Sequence, residues 1–132
     1  MDQNPTFGRY IEIPLDEMSA EQRSGYDRII HDRGMCPGPY KVWLENPAAM
    51  QLMVPVGVYY RSGSNLSEAE REIAVVLVIA KWGAAFPISE HEWIAEGTGG
   101  YSKAGIPADK VERMIVGLPV SFEDSRQQLV YE

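Results

Sequence analysis

Two side chains in this chain of 132 residues, Glu72 and His91, are of the types that move protons, and they stand 19 positions apart. A carboxylate that accepts a hydrogen bond from one imidazole nitrogen fixes the tautomer of the ring and raises the basicity of the other nitrogen. Together the two residues could act as a general acid–base pair. They could also be unrelated, with Glu72 solvated on a helix surface and His91 an ordinary polar residue. The residue types alone favour this second interpretation.

The helix that carries Glu72 has the clearest start signal in the chain. Ser67 is typical of an N-cap, and Glu70 completes a capping box three residues later, ahead of the apolar run at 73–80. From its cap onward the pattern is about 16 residues long, which exceeds the usual length of a strand. It predicts a central helix that is buried within the domain or by a partner subunit, because its apolar face extends nearly all round.

His91 falls in the next predicted helix, which follows a break at Pro87. Ser89 is expected to cap this helix and Glu92 to complete a second capping box, so that His91 lies in the first turn. An antiparallel hairpin of the two helices would then hold Glu72 and His91 at opposite ends. A contact between them therefore requires the fifth helix to fold back across the fourth, or a neighbouring subunit to supply one of the two residues.

The rest of the chain also has helical patterns with short connections. A first helix is predicted from the Ser19–Gln22 capping box to Gly34. Asn46-Pro47 begins another, in which Pro55 predicts a kink or a break. Further helical segments are expected around residues 42–44, from 106–108 and after 121, with a turn at 35–40 and a loop at 62–65. Residues 1–18 are interpreted as an arm and residues 19–132 as one domain, an all-α fold of about six helices.

The composition excludes several classes of protein. The chain has 12 basic and 19 acidic residues, a formal net charge of −7, and 45% hydrophobic residues. This apolar content excludes full disorder, the length fits one domain, and the acidic balance argues against nucleic acid as a partner. The longest apolar run, at 73–80, is far shorter than the about 20 residues of a membrane-spanning helix, and the N-terminus resembles no targeting segment. We expect a cytoplasmic protein with no membrane partner.

Redox and metal chemistry have little support in the sequence. Cys36 is the only cysteine, which excludes an internal disulfide and fits a reducing compartment. It could be a nucleophile, but a lone thiol in a turn without a neighbouring base is more often inert. Two histidines and one cysteine make a structural zinc site hard to build, and the common nucleotide, metalloprotease and hydrolase motifs are absent. We therefore expect no metal and no cofactor.

A set of residues agrees in order and spacing with a known pattern. It comprises Glu-Arg-Glu-Ile-Ala at 70–74, Trp82, His91-Glu92 with a following Ala and Gly, and, upstream, Arg33-Gly34, Pro37-Gly38-Pro39-Tyr40, Leu44 and Asn46-Pro47. The pattern resembles the carboxymuconolactone decarboxylase and alkylhydroperoxidase D superfamily. Its upstream part is similar to the carboxymuconolactone decarboxylase-like branch. The resemblance covers the chain from about residue 10 to residue 122.

The resemblance implies an all-helical bundle that assembles as a homotrimer or homohexamer around its central helices. In the peroxidase branch a Glu, a CxxC pair and a His form a proton relay. By position the relay Glu is Glu72 and the relay His is His91, whereas the two cysteine positions fall on Ala84 and Pro87. Neither of these can do thiol chemistry, so the chain keeps the proton-handling pair and lacks the redox pair.

The decarboxylase branch acts on a small carboxylated lactone and protonates carbon as carbon dioxide leaves. The resemblance implies that His91 is the general acid or base and that Glu72 orients it. Arg71 could hold a substrate carboxylate or could be a surface ion-pair partner, and Tyr40 and Trp82 are candidate pocket walls. We expect an enzyme with a small-molecule substrate, a non-redox lyase, decarboxylase or isomerase. An alkylhydroperoxidase-like antioxidant protein and a non-catalytic oligomeric member of the superfamily are the alternatives.

Overall fold

The computed structural model describes residues 10–98 and 103–132, and the regular elements of these residues are helical. In chain order they are α1 (Ala20–Arg33), α2 (Gly38–Trp43), α3 (Pro47–Val58), a π-helix (Tyr59–Gly63), α4 (Glu68–Lys81), α5 (Ala85–Glu96), α6 (Ala108–Ile115) and α7 (Ser125–Tyr131). The all-α prediction is therefore confirmed for this part of the chain. The helices fall into two compact units, which meet in the sequence between Ser64 and Asn65. None of the helices formed by the described residues has the length and apolarity needed to cross a membrane.

In the first unit, α1 begins and ends where its sequence predicts. The Ser19 hydroxyl accepts a hydrogen bond from the backbone N–H of Gln22, and the Gln22 side chain accepts one from the backbone N–H of Ser19. Gly34 closes the helix at φ 74°, the left-handed conformation that favours glycine. The unit has its own apolar core, made of Ile29, Tyr40, Leu44, Met50 and Val54.

The predicted arm is not helical where the structure describes it. Residues 1–9 lie outside the described part of the chain, and residues 10–18 contain no helix. The Tyr10 hydroxyl donates a hydrogen bond to the backbone oxygen of Lys41 over 2.9 Å. The second half of the arm is thereby attached to α2.

The third helix is not broken at its internal proline. α3 begins at the predicted Asn46 cap and continues past Pro55 to Val58, where the winding widens into the π-helix. A proline inside a helix removes one backbone hydrogen-bond donor, but this loss does not end α3. The π-helix ends with a hydrogen bond in which the backbone N–H of Ser64 donates to the backbone oxygen of Tyr59 over 2.9 Å. The predicted loop at 62–65 is therefore wrong for its first two residues.

In the second unit, α4 begins at the predicted capping box. The Ser67 hydroxyl accepts from the N–H of Glu70, and the Glu70 carboxylate accepts from the N–H of Ser67 over 2.7 Å. One face of α4 packs on α5, α6 and α7, with Ile73 and Val76 fully buried. Val78, in the second half of α4, is exposed. The sequence predicts a helix buried nearly all round, within the domain or by a partner subunit, and the second unit by itself covers the face of α4 that carries Ile73 and Val76.

α5 begins one turn earlier than predicted, at Ala85. Pro87 is the third residue of the helix, where its missing N–H would have no acceptor within the helix in any case. Ser89 lies inside α5, and its hydroxyl donates to the backbone oxygen of Phe86 over 2.8 Å. The predicted break at Pro87 and the predicted cap at Ser89 are both wrong, since a proline is compatible with a first helical turn.

Candidate active site

His91 and Glu72 are hydrogen-bonded to each other in the second unit. The Nδ1 atom of His91 lies 2.7 Å from Oε2 of Glu72. An ionised carboxylate only accepts hydrogen bonds, so Nδ1 carries the hydrogen and donates it. The other ring nitrogen, Nε2, is then the atom that can take up or release a proton.

The early start of α5 accounts for this contact. α4 and α5 touch and are joined by only three residues, 82–84, so they form an antiparallel hairpin. At 1.5 Å per residue, Glu72 lies about 14 Å along α4 from Lys81, and His91 lies about 9 Å along α5 from Ala85. The two residues are therefore offset by about 5 Å along the hairpin axis, a distance that their side chains can span. With the same turn, a helix that began after Ser89 would leave an offset of about 12 Å. The contact forms within one chain, in a hairpin in which α5 packs against α4, so the prediction that an antiparallel hairpin would hold the two residues at opposite ends is wrong.

The two partners differ in their access to water. The side chain of Glu72 is 7% exposed and that of His91 is 30% exposed. A buried carboxylate needs compensating partners, and a guanidinium supplements the imidazole: Nε of Arg71 lies 3.8 Å from Oε1 of Glu72. The site therefore consists of the shielded carboxylate of Glu72, the imidazole of His91, which reaches solvent, and the guanidinium of Arg71 beside Glu72. It can hold a proton on the ring and present it to a molecule arriving from solution.

A second buried carboxylate, Glu70, has a partner of a different kind. Arg126 donates to both of its oxygens, from Nε over 2.6 Å and from Nη2 over 3.2 Å. These bonds, followed by the backbone N–H of Ser67, lower the pKa of Glu70 to about 2. A guanidinium keeps its charge at any ordinary pH, whereas an imidazole can lose its proton near neutrality. Glu70 is therefore a fixed anchor, and Glu72 is the carboxylate that has a titratable partner.

The other histidine provides a natural comparison. Nδ1 of His31 lies 2.8 Å from Oδ1 of Asp32, a distance similar to that in the His91 pair, but the His31 side chain is 84% exposed. Solvent screens such a pair and leaves it little net energy. The carboxylates of the two pairs are both shielded, Asp32 at 16% and Glu72 at 7% exposure, so the His91 pair differs mainly in its imidazole, which is 30% exposed.

The two candidate pocket walls belong to different units. Trp82 follows the last residue of α4 and is 82% exposed, which does not suit the wall of a closed pocket formed by this chain alone. Tyr40 belongs to the first unit, where its ring packs on Trp43 at a centroid distance of 4.9 Å. Its hydroxyl accepts a hydrogen bond from Arg33 over 2.7 Å. The described contacts of Tyr40 are those of a core residue.

Thiol chemistry is not favoured at any described position. Cys36 lies half-buried in the first unit, and burial raises the pKa of its thiol. A raised pKa favours the neutral thiol over the nucleophilic thiolate. The positions that the resemblance assigns to cysteines are the N-cap of α5, Ala84, and its third residue, Pro87.

The ion pair of Glu70 and Arg126 has no counterpart in the sequence predictions. The two residues stand 56 positions apart, and no spacing rule joins them. In the sequence, Glu70 is recognisable only as the acidic residue at the third position of α4, which predicts the capping box but no partner in α7.

Comparisons of the chain with protein-family models, with curated proteins and with solved structures give no match. Among the described residues, no group of three or more His, Cys, Asp or Glu side chains is arranged to hold a metal ion.

Proposed function

We propose that this chain is a carboxymuconolactone decarboxylase-like enzyme, a non-redox lyase, decarboxylase or isomerase that acts on a small carboxylated, lactone-like molecule. His91 is the general acid or base, and Glu72 orients it. One observation supports this proposal above all, the 2.7 Å hydrogen bond from His91 Nδ1 to the buried Glu72 carboxylate. It directs Nε2 toward proton transfer in a partly exposed position, which is the arrangement that acid–base catalysis requires.

The chemistry needs one proton donor and one anchor for the substrate. In a decarboxylation the bond between the carboxylate carbon and its neighbour breaks, the conjugated lactone carbonyl takes up the electron pair, and a proton is added to carbon. His91 supplies that proton from Nε2, and the charge of Glu72 stabilises the imidazolium form that holds it. The Arg71 guanidinium, 3.8 Å from Glu72, binds the substrate carboxylate. In an isomerisation the same nitrogen would remove a carbon-bound proton and return it elsewhere.

Two observations weigh against the alternatives. A peroxidase of the antioxidant type needs an attacking thiolate and a resolving thiol, and the chain has a single cysteine, Cys36, with a raised thiol pKa. A non-catalytic member would need no titratable partner for a buried carboxylate, because a permanent cation, Arg126, fills that role for Glu70. Acid–base chemistry is the function that uses both residues of the pair.

The assay uses 4-carboxymuconolactone and measures carbon dioxide release together with loss of the lactone. We expect turnover by the wild type, and a loss of at least about a hundredfold in His91→Ala, because general acid–base catalysis contributes about 10²–10⁴-fold. His31→Ala is the matched control and is expected to retain full activity. Isomerase activity is followed in D2O as exchange of carbon-bound protons of the same lactone.

Three results would contradict the proposal. One is unchanged turnover in His91→Ala, and another is a wild type that neither decarboxylates nor exchanges protons. The third is robust consumption of peroxide with a thiol reductant that disappears in Cys36→Ser, which would favour the antioxidant alternative. Circular dichroism of each variant shows whether its helices are intact.

A further inference from the structure

The first unit contains a cavity that the acid–base site does not use. Its volume is about 310 Å³, and it shares no residue with the His91 site. Small-molecule sites usually have volumes of about 300–1,000 Å³ and mostly apolar walls with a few polar groups. The exposed wall is about equally polar and apolar, and six of the ten residues that line it are apolar or aromatic: Ile13, Pro14, Leu15, Met18, Tyr26 and Leu44.

Four polar groups complete the walls, and they leave the cavity without net charge. Nζ of Lys41 lies 2.7 Å from Oε1 of Glu12, so the two charges neutralise each other. The other two groups are the Tyr10 hydroxyl and the Cys36 thiol. Burial, followed by the charge of Glu45, raises the pKa of Tyr10, and burial raises the pKa of Cys36. Both therefore stay uncharged at neutral pH.

The charge balance of the walls selects the kind of molecule that fits. An ionic ligand would lose its hydration and meet a wall with no net opposite charge, which is unfavourable. An uncharged apolar ligand gains from burial without that loss. The Lys41 ammonium has three N–H donors, and its contact with Glu12 leaves donors that can bind a ligand oxygen.

We infer that this cavity binds a small uncharged molecule with an apolar ring or chain and one carbonyl or hydroxyl oxygen. The apolar part lies against the Ile13, Met18 and Leu44 side chains, and the oxygen accepts a hydrogen bond from Lys41. The inference concerns the first unit alone and does not depend on the proposed function.

Three naphthalene derivatives of similar size test the inference on the full chain: 1-naphthol, 1-naphthoate and 1-naphthylmethylammonium. Calorimetry measures the Kd of each. The rate of alkylation by iodoacetamide reports occupancy, because Cys36 is the only cysteine and lies in the cavity wall. We expect 1-naphthol to bind at one site and to slow alkylation at least tenfold at saturation. The two charged compounds are expected to bind at least tenfold more weakly.

Two variants change the charge of the wall in opposite directions. Lys41→Met leaves Glu12 alone and is expected to shift the preference toward the ammonium compound, whereas Glu12→Gln leaves Lys41 alone and is expected to shift it toward the carboxylate. Glu112→Gln, an exposed position in α6, changes the net charge equally to Glu12→Gln and is expected to change no preference. The inference is overturned if no compound binds saturably, if bound 1-naphthol does not protect Cys36, if a charged compound binds the wild type as well as 1-naphthol does, or if neither wall variant alters the order of affinities.

Discussion

At the scale of single residues, the partner of each buried carboxylate decides its role. Glu70 and Glu72 lie two positions apart in α4, and both are shielded from water. Glu70 is paired with Arg126, a permanent cation that keeps it ionised. Glu72 is paired with His91, which can gain and lose a proton. One short segment of helix therefore provides a structural anchor, Glu70, and the carboxylate that we propose orients His91, Glu72.

This difference predicts opposite consequences for the two Glu→Gln substitutions. In Glu72→Gln the side-chain oxygen can still accept from Nδ1 of His91, but the charge that stabilises the imidazolium is lost. We expect kcat for the lactone to fall at least about tenfold, with a smaller change in KM. Glu70→Gln is expected to alter stability and to leave kcat largely unchanged. Equal losses of kcat in the two variants would contradict the division of roles.

At the scale of elements, the α4–α5 hairpin sets the register of the site. The connection between the helices contains Gly83 at φ 60°, the left-handed conformation that other residues adopt only with strain. This turn allows α5 to begin at Ala85, which brings His91 opposite Glu72. The hairpin turn thus positions the two residues of the proposed acid–base pair, although it carries no reactive group.

Gly83→Ala tests that role. The added methyl group meets no atom within 4 Å, so its effect is that of backbone strain alone. We expect a loss of about 1–2 kcal/mol in the free energy of unfolding, together with a fall in turnover. Gly117→Ala is a matched control, because Gly117 has φ 75° and the same open surroundings at the end of α6. It is expected to lose similar stability and to keep its turnover, and a fall in turnover of the same size in both variants would contradict the positioning role.

The ion pair between α4 and α7 predicts how stability depends on pH. The pKa of Glu70 is lowered to about 2 in the folded protein from an ordinary value of 4.5. The pair therefore stabilises the fold fully above pH 4.5, and this contribution is lost as the pH falls from 4.5 toward 2. We expect Glu70→Gln to unfold at lower urea concentration than wild type at pH 7 and to show a shallower decline of stability below pH 4.5. Parallel pH curves for the two proteins would contradict this prediction.

At the scale of the whole molecule, each unit has its own apolar core, and each exposes large apolar side chains. The two cores are separate clusters, one around Ile29 and Met50 and the other around Ile73 and Val111. Leu52 in the first unit and Trp82 in the second are among the exposed apolar residues. Large exposed apolar surface often marks an interface with another chain, and the resemblance predicts such an interface in a homotrimer or homohexamer.

Light scattering at micromolar concentration tests the assembly. We expect a mass of three chains or more for the wild type and a smaller species for Trp82→Lys, because a charge in an apolar interface is unfavourable. Ser121→Lys is the control, because Ser121 is an exposed polar residue and the variant changes the net charge equally, and it is expected to keep the mass of the wild type. A monomeric wild type would contradict the proposed assembly.

The sequence by itself determined the helices whose ends are set by nearby residues. The Ser19 and Ser67 caps and the Gly34 stop lie where they were predicted, because each depends on hydrogen bonds between residues a few positions apart. The all-α class follows from several such local signals together. The choice of Glu72 and His91 as candidates also needed only the sequence and the resemblance that it carries.

Only the tertiary structure decided how these residues meet. Ser89 and Pro87 gave a local signal for a later start of α5, and packing on α4 prevailed over it because a proline in a first turn costs little. The ion pair of Glu70 with Arg126 joins residues that no local pattern relates. Long-range contacts depend on the position of the backbone around both partners, and that position is set by the packing of the whole unit.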